Sequence, residues 1–464
     1  VGLFPGKRES RRFNGLYTLT QQDVINQSIH YDAVAYGGWA IDLHPADGVY
    51  AGGNGCHQWH SKGVYQIPYR CYVTPDLDNL FVGGRIISSS HVANGTTRVM
   101  CTSALGGEVI GRAASICLSK GYKPIDLVDR DRIGLLQSLL VKNGNFIPGI
   151  AVAVEDNLAD SAEISVSSVL ELDDLPADGT WFGLDYPIAQ LIPVNGKVPV
   201  VRMNVKADNA TRLVMELRSS SKSENYTPDT IDAVLEFDLK KDENEIVADF
   251  SYSYATPRYA FICLMKNPEI SVPMSGRLVT GLTAVYNYIN PAVSNFGKQV
   301  PPEGIGVEEF EFWCPKRRPE SKNIAMSFAP SLASFNSENL RNSYYRPYIG
   351  TNAWVAAFDD ARPEVCFKWN GRKQIKTIIL YFDTDTDQAM ETVQMGHFDA
   401  CVPTCYREYI IRDSEGKELY HITGNHQTLN VLELDQPVTT DAIYVNFVRP
   451  CGDVCPGLMG VYVC

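Results

Sequence analysis

Near residue 150 the sequence changes its period. Beyond it, short runs at 200–205, 212–217, 234–239 and 259–265 alternate apolar with polar residues and are separated by Gly, Pro, Asn and Asp. Period-two alternation gives a strand one apolar and one polar face, and regularly spaced runs of this kind predict a β-sandwich. Residues 309–319 turn charged and Pro-bearing, a predicted boundary, and the pattern resumes at 364–369, 377–382, 407–412, 428–434 and 442–448. Before residue 150, Gly-rich turns, a short apolar run at 80–82 and two helical stretches predict an α/β or α+β unit instead. The helix at 102–118 carries Leu105, Val109, Ile110, Ala113, Ala114 and Cys117, with Gly106, Gly107 and Gly111 where a close neighbour would leave no room for a side chain; that at 132–141 places Ile133, Leu136 and Leu140 on one face. At roughly 150 residues per domain, 464 residues make about three. The predicted fold class is therefore multidomain: an α/β or α+β unit over 1–150, then two all-β sandwiches of jelly-roll type over 151–318 and 319–464.

Composition removes several function classes. Lys plus Arg is 41 against 54 for Asp plus Glu, a net charge of −13, and no basic cluster supplies the footprint that nucleic acid requires. Apolar runs fall far short of the ~20 residues of a membrane span. Twelve cysteines in 464 residues are too sparse for a disulfide scaffold and leave the redox compartment open. Lys7, Arg8, Arg11 and Arg12 are followed by no apolar run, so residues 1–12 do not read as a signal peptide. The sequons at Asn26, Asn94, Asn209 and Asn225 are about what chance supplies.

Residues 79–100 read NLFVGGRIISSSHVANGTTRVM: an apolar run stopped by two glycines, a polar loop, and a helix opened by Thr97 or Thr102. Glycines let backbone approach a flat or anionic ligand, and a helix N-terminus offers N–H groups and partial positive charge. The same order also serves simple tight packing. Around it stand Glu9, Ser10, Arg11 and Arg12, GLYTLT at 15–20 with Asp23 and Val24, IDLH at 41–44 and IPYRC at 67–71.

In these ordered blocks, residues 1–150 resemble the carboxy-terminal half of the FAD-dependent oxidoreductases often found beside bacterial polysaccharide-degrading genes. The resemblance implies part of an FAD-binding domain and FAD as cofactor. It implies that Gly83, Gly84 and Arg85 lie against the cofactor, and that Thr97, Arg98, Val99 and Met100 bring a helix N-terminus and a cation to the flavin N1/O2 edge, where charge develops on reduction. Such proteins begin with a strand, a GxGxxG turn and a helix that hold the pyrophosphate. GNGCHQ at 53–58 lacks the last glycine and 106–111 lacks the spacing. The resemblance thus places a dinucleotide-binding segment, of this chain or another, before Val1, and makes the sequence the carboxy-terminal portion of a longer enzyme.

Substrate chemistry has few candidates. His91 beside the implied flavin edge, or His44 two residues after Asp42, would remove a hydroxyl proton while hydride leaves to flavin; each reads equally as a structural hydrogen-bonder. Arg70 and Arg98 would clamp a carboxylate or polarise a ketone, or form salt bridges. His57 and His60 flank Trp59 in what reads as an exposed loop, with no carboxylate pattern for a metal.

In the β-rich remainder, 163–169 with Ala189 and Gln190, and again 353–369 with Trp354, Asp359 and Asp360 followed by YIIRDSEG at 409–416, resemble galactose-binding or discoidin-type sandwiches. That implies glycan recognition through aromatic loops or a purely architectural role. Cys401/Cys405 and Cys451/Cys455, with Cys464 and His397, allow disulfides, unpaired thiols or a zinc site, cross-linking or structural thiols being favoured over metal. The reading is an FAD-dependent oxidoreductase passing hydride between a small-molecule or glycan substrate bearing hydroxyls and flavin, in a periplasmic or secreted location. The alternative is a non-catalytic glycan-binding or scaffolding protein that retains a partial flavoprotein domain.

Overall fold

The computed structural model describes residues 11–52, 55–151, 156–225, 227–288, 297–300, 303, 309–315, 322–384, 404–450 and 454–464. The chain is multidomain, with a small helix-containing N-terminal region and a larger β-rich remainder. It divides into two compact units, one built mainly from Val1–Ala153, the other from Val154–Ile289 with Glu311–Ala389 and Val393–Cys464.

The first unit is α+β, since its described strands pair antiparallel: Ala33–Gly37 with Tyr65–Pro68 and Ile41–Leu43 with His57–Trp59. Helix α1 (Gln21–Asn26) starts at a reciprocal cap in which the Thr20 hydroxyl accepts from the Asp23 N–H and the Asp23 carboxylate accepts from the Thr20 N–H. Helix α2 is His91–Thr97, α3 Met100–Lys120 and α4 Arg130–Lys142. Three- and four-residue spacing buries Thr102, Gly106, Val109, Ala113, Ile116 and Cys117 on α3, and Ile133, Leu136, Gln137, Leu140 and Val141 on α4. Of the three α3 glycines, Gly106 is needed: a Cβ there would lie 2.8 Å from the buried Tyr72 ring. Gly107 and Gly111 have open space around them, so the expected close neighbours are absent at those two positions.

The run at 80–82 is not a strand. Phe81 makes one isolated bridge to Val73, and the chain then turns away. Nor does one helix follow the polar loop. Ser90 caps α2 by accepting from the Ala93 N–H, Thr97 ends that helix, and α3 opens at Met100 with Thr102 inside its first turn. Gly95, Thr96 and Thr97 are weak helix formers, which hides α2 in the sequence.

The second unit holds two sandwiches that are interleaved in chain order. One packs a six-stranded against a seven-stranded antiparallel sheet; the predicted runs at 200–205, 212–217, 234–239 and 259–265 are its strands Val200–Ala207, Thr211–Ser219, Thr230–Leu239 and Arg258–Leu264. The other is built on two long strands, Glu364–Phe382 and Leu429–Pro450. Each merges two runs that the sequence separates. Irregularities in their pairing, between Lys368 and Lys373 and between Ile375 and Thr377, let one strand bend through both layers. Gly371, at φ +101°, supplies the backbone conformation that this bend needs.

Two segments decide the architecture. Glu163–Val166 pairs with Val365–Lys368 of the second sandwich, and Trp354 donates its indole N–H to Ser168 O at 2.9 Å. The two segments that separately resemble discoidin-type sandwiches are therefore parts of one, and the first sandwich is inserted between them. Gln190, read with the first of these segments, is instead a buried bridge of the inserted sandwich: its Nε2 donates to Asn323 Oδ1 at 3.0 Å and its Oε1 accepts from the Ile324 N–H at 2.8 Å.

The two sandwiches also share strands. Along Glu364–Phe382, Ile378, Leu380 and Phe382 enter the core of their own sandwich while Ile379 and Tyr381 enter that of the inserted one; along Gly457–Val463, Leu458, Val461 and Val463 face the former, Met459 and Tyr462 the latter. Tyr345 stacks on Tyr381 at 3.7 Å between ring centroids, over Gly460, where a Cβ would clash at 2.4 Å. Met459→Ala is expected to cost about 2–5 kcal/mol and to lower the unfolding of both sandwiches together. Guanidinium denaturation followed by far-UV circular dichroism and tryptophan fluorescence checks this, with coincident midpoints expected.

Candidate active site

Strand Ile41–Leu43 and helix α2 meet at Gly95, where a Cβ would lie 3.0 Å from Asp42 O and 3.2 Å from Asp42 N. A larger residue would push the helix off the strand. This approach closes a recess of about 70 Å³ lined by Asp42, His44, His91, Asn94 and Arg98, among others. A water needs roughly 10–15 Å³ of such space, so the recess admits one hydroxyl-bearing edge of a sugar and not a whole ring.

Asp42 organises it. Arg98 donates through NH2 to Asp42 O at 2.9 Å and lies 3.6 Å from Oδ2. His44 sets Nε2 3.3 Å from the same Oδ2 and Nδ1 2.9 Å from Gly55 O, so both ring nitrogens face oxygens. Asp42 Oδ1 is buried and has no hydrogen-bond partner among the described residues, an acceptor left for a ligand hydroxyl. Asn94 spans from α2 to the glycine turn, its Nδ2 donating to Arg85 O at 3.0 Å. Asn94 and Gly95 carry no signal as site residues in the sequence; Asp42 on strand Ile41–Leu43, with His44 immediately past its end, is the signal that marks the recess.

The structure thus brings His44, His91 and Arg98 together and leaves Arg70 elsewhere. Arg70 is fixed by fully buried Asp32, with Nε to Oδ2 and NH2 to Oδ1 both at 3.0 Å, and its guanidinium lies 5.0 and 5.1 Å from the rings of Tyr17 and Tyr31. This pairing is the salt-bridge alternative of the sequence reading. A Cβ at Gly83 would meet the terminal Cδ1 of Ile110 at 2.6 Å; Gly84, at φ +67°, faces open space, and Arg85 is exposed.

Around the start of α3 the chain leaves polar groups unspent. Val99 provides no side-chain cap, so the first N–H groups of a 21-residue helix keep their positive end, and the buried hydroxyls of Thr97 and Ser103 have no partner among the described residues. Met100 is 88% exposed there. These groups fit the electron-rich edge of a flavin. Arg98 brings a cation already shared with Asp42.

Two other clusters lie outside the recess. Tyr17 donates to Asp23 Oδ1 at 2.9 Å, and burial with that bond pushes its phenol up to about 12. Burial would raise the Asp23 carboxyl, but bonds from Thr20, Tyr17 and Ser28 outweigh it and hold the group below the usual range. Burial also lowers His30 beside it. His60 corrects the expectation of an exposed loop: His57–Trp59 is a strand, and burial takes the His60 imidazole down to about 3. Among the described residues no group of three or more His, Cys, Asp or Glu could hold a metal; Cys401, Cys451 and His397 lie outside them.

Residues 1–140 match the model of a family described as FAD dependent oxidoreductase. This segment holds the recess and the start of α3. No curated protein matches the chain. Solved structures similar to it include the family 32 carbohydrate-binding module from Streptococcus pneumoniae EndoD (11% identity, TM-score 0.22, 28% of this chain and 86% of that one). A second is the family 32 module of C. perfringens NanJ in complex with galactose (9%, TM-score 0.21, 28% and 85%). Among the described residues no helix is long and apolar enough to cross a membrane.

The buried histidine generates a pH prediction. In the unfolded chain His60 takes up a proton near pH 6.5, whereas in the fold it stays neutral down to about pH 3. The unfolded state therefore binds more protons over that window, and stability falls as pH is lowered through it. Thermal unfolding of the protein and of His60→Asn between pH 7 and 4 should give a shallower slope for the variant.

Proposed function

We propose that the N-terminal unit is the substrate-facing part of an FAD-dependent oxidoreductase that acts on a carbohydrate or related hydroxy compound. The observation that carries this reading is the convergence of Asp42, His44, His91 and Arg98 on one recess next to the uncapped start of α3. Gly84, Thr97, Arg98, Val99 and Met100 would hold the flavin edge. FAD, when bound, supplies the hydride acceptor for the carbon that bears the hydroxyl.

The chain's own residues handle the proton. A substrate hydroxyl entering the recess finds Asp42 Oδ1 as an unspent acceptor and His44 or His91 as base. Taking up that proton turns His44 into an imidazolium whose Nε2–H faces Asp42 Oδ2 and whose Nδ1–H faces Gly55 O, both of which favour the charged ring. Arg98 keeps the Asp42 carboxylate oriented. The small recess selects by edge, so the remainder of a glycan stays outside. A second recess of about 210 Å³ in the non-inserted sandwich, lined by Phe358, Asp360, Tyr406 and Phe447 among others, combines ring surface with a carboxylate and supports a glycan as the substrate class. Asp360 is held there by the hydroxyls of Ser167 and Ser168, both at 2.5 Å.

Anaerobic mixing of the flavin-loaded protein with a panel of sugars tests the reading. At least one sugar should bleach the visible flavin band, and either His44→Ala or His91→Ala should slow that bleaching by roughly 10²–10⁴-fold. Bleaching at the unaltered rate in both variants would contradict the assignment. A protein that carries no flavin and takes none up would leave the glycan-binding alternative.

A further inference from the structure

The inserted sandwich carries a larger recess than either described above. Its volume is about 370 Å³, within the roughly 300–1,000 Å³ of small-molecule sites, and it lies on the seven-stranded sheet. Along Val200–Ala207, Val201, Met203, Val205 and Ala207 enter the core, which sends Arg202 and Asn204 to the outer, exposed face. Strand Asp242–Ala248 runs antiparallel beside it, setting Asn204 opposite Glu245 and Lys206 opposite Glu243.

Three observations say what this surface takes. Its charges are largely spent on one another: Arg202 NH1 is 4.0 Å from Glu245 and Lys206 Nζ is 3.3 Å from Glu243. The recess therefore offers donors and acceptors side by side, as a hydroxyl that both donates and accepts requires; a strongly charged ligand would have to break these pairs. The wall carries an indole, Trp181, 38% exposed and held by Lys206 Nζ 4.0 Å from its ring centroid. A rigid aromatic at the rim buries apolar C–H surface at small entropic cost. Finally, Asp174 sets a half-buried carboxylate in the wall, where desolvation raises it and the charge of Arg277 lowers it. An acceptor so placed gains from any ligand hydroxyl that reaches it.

We propose that the outer face of the inserted sandwich binds a neutral oligosaccharide, with Trp181 against a pyranose ring and Asp174, Asn204 and Arg202 on its hydroxyls. This surface belongs neither to the recess of the N-terminal unit nor to that beside Phe358. It gives the protein a polysaccharide contact that does not depend on catalysis.

The test is calorimetric titration of the whole protein with neutral hexasaccharides of β-1,4-glucose, β-1,4-mannose, β-1,4-xylose and β-1,3-glucose, alongside hexamers of glucosamine and galacturonic acid. At least one neutral hexamer should bind, Trp181→Ala should weaken it about tenfold or more, and the isosteric Asp174→Asn about fivefold or more, while Ile231→Ala, exposed on the six-stranded sheet, leaves it unchanged. Should Trp181→Ala fail to fold, Asp174→Asn decides. The proposal is overturned if no neutral hexamer binds, if a charged hexamer binds in preference, or if binding survives both the Trp181 and the Asp174 variants. None of these outcomes depends on flavin or on turnover, so the oxidoreductase reading stands or falls separately.

Discussion

The β-rich part of this protein depends on a pair of strands buried on both faces. Ile379, Tyr381, Met459 and Tyr462 point into the inserted sandwich while their immediate neighbours point into the sandwich that encloses it. At roughly 1.5–3 kcal/mol for each fully buried apolar side chain, four such residues supply a seam comparable with the ~5–15 kcal/mol of net stability of a whole domain. An insertion is ordinarily tethered by its two linkers; here the outer sheet of one fold is the inner wall of the other. That coupling explains why both halves of Gly457–Val463 are apolar without alternation, and why Gly460 leaves room for the stacked Tyr345.

In the N-terminal unit the equivalent constraint is the contact of α2 with strand Ile41–Leu43. It works through the absence of a side chain at Gly95, and it brings a carboxylate, two imidazoles and a guanidinium from separated stretches of sequence to one small opening. Asp42 is the shared partner, and its unsatisfied Oδ1 is the kind of local cost that a functional site carries and a structural ion pair does not. The contrast is Asp32 with Arg70, where both carboxylate oxygens are satisfied and two aromatic rings flank the cation.

Local signals are legible in the sequence, and long-range ones are not. Period-two runs such as 200–205 and 259–265 became strands because their own alternation decides which side is buried. The pairing of Glu163–Val166 with Val365–Lys368 has no such signal; two segments with similar motifs, some two hundred residues apart in sequence, suggest two sandwiches when they are halves of one. Helix α2 was hidden because Gly95, Thr96 and Thr97 serve contact and burial at the expense of helix propensity. In the site, His44, His91 and Arg98 are legible as residue types near a glycine turn, but their meeting at one recess with Asp42 arises from packing. The charge of Arg70 is visible in the sequence, while its buried partner, Asp32, is visible only in the fold.

The proposed function needs the uncapped start of α3 and the recess beside it to serve a flavin. The most direct measurement is the visible absorption spectrum of the protein isolated from its own source, recorded before and after addition of FAD. The account predicts a flavin band that remains with the protein through gel filtration. A spectrum without that band, unchanged by added FAD after the same filtration, would contradict it.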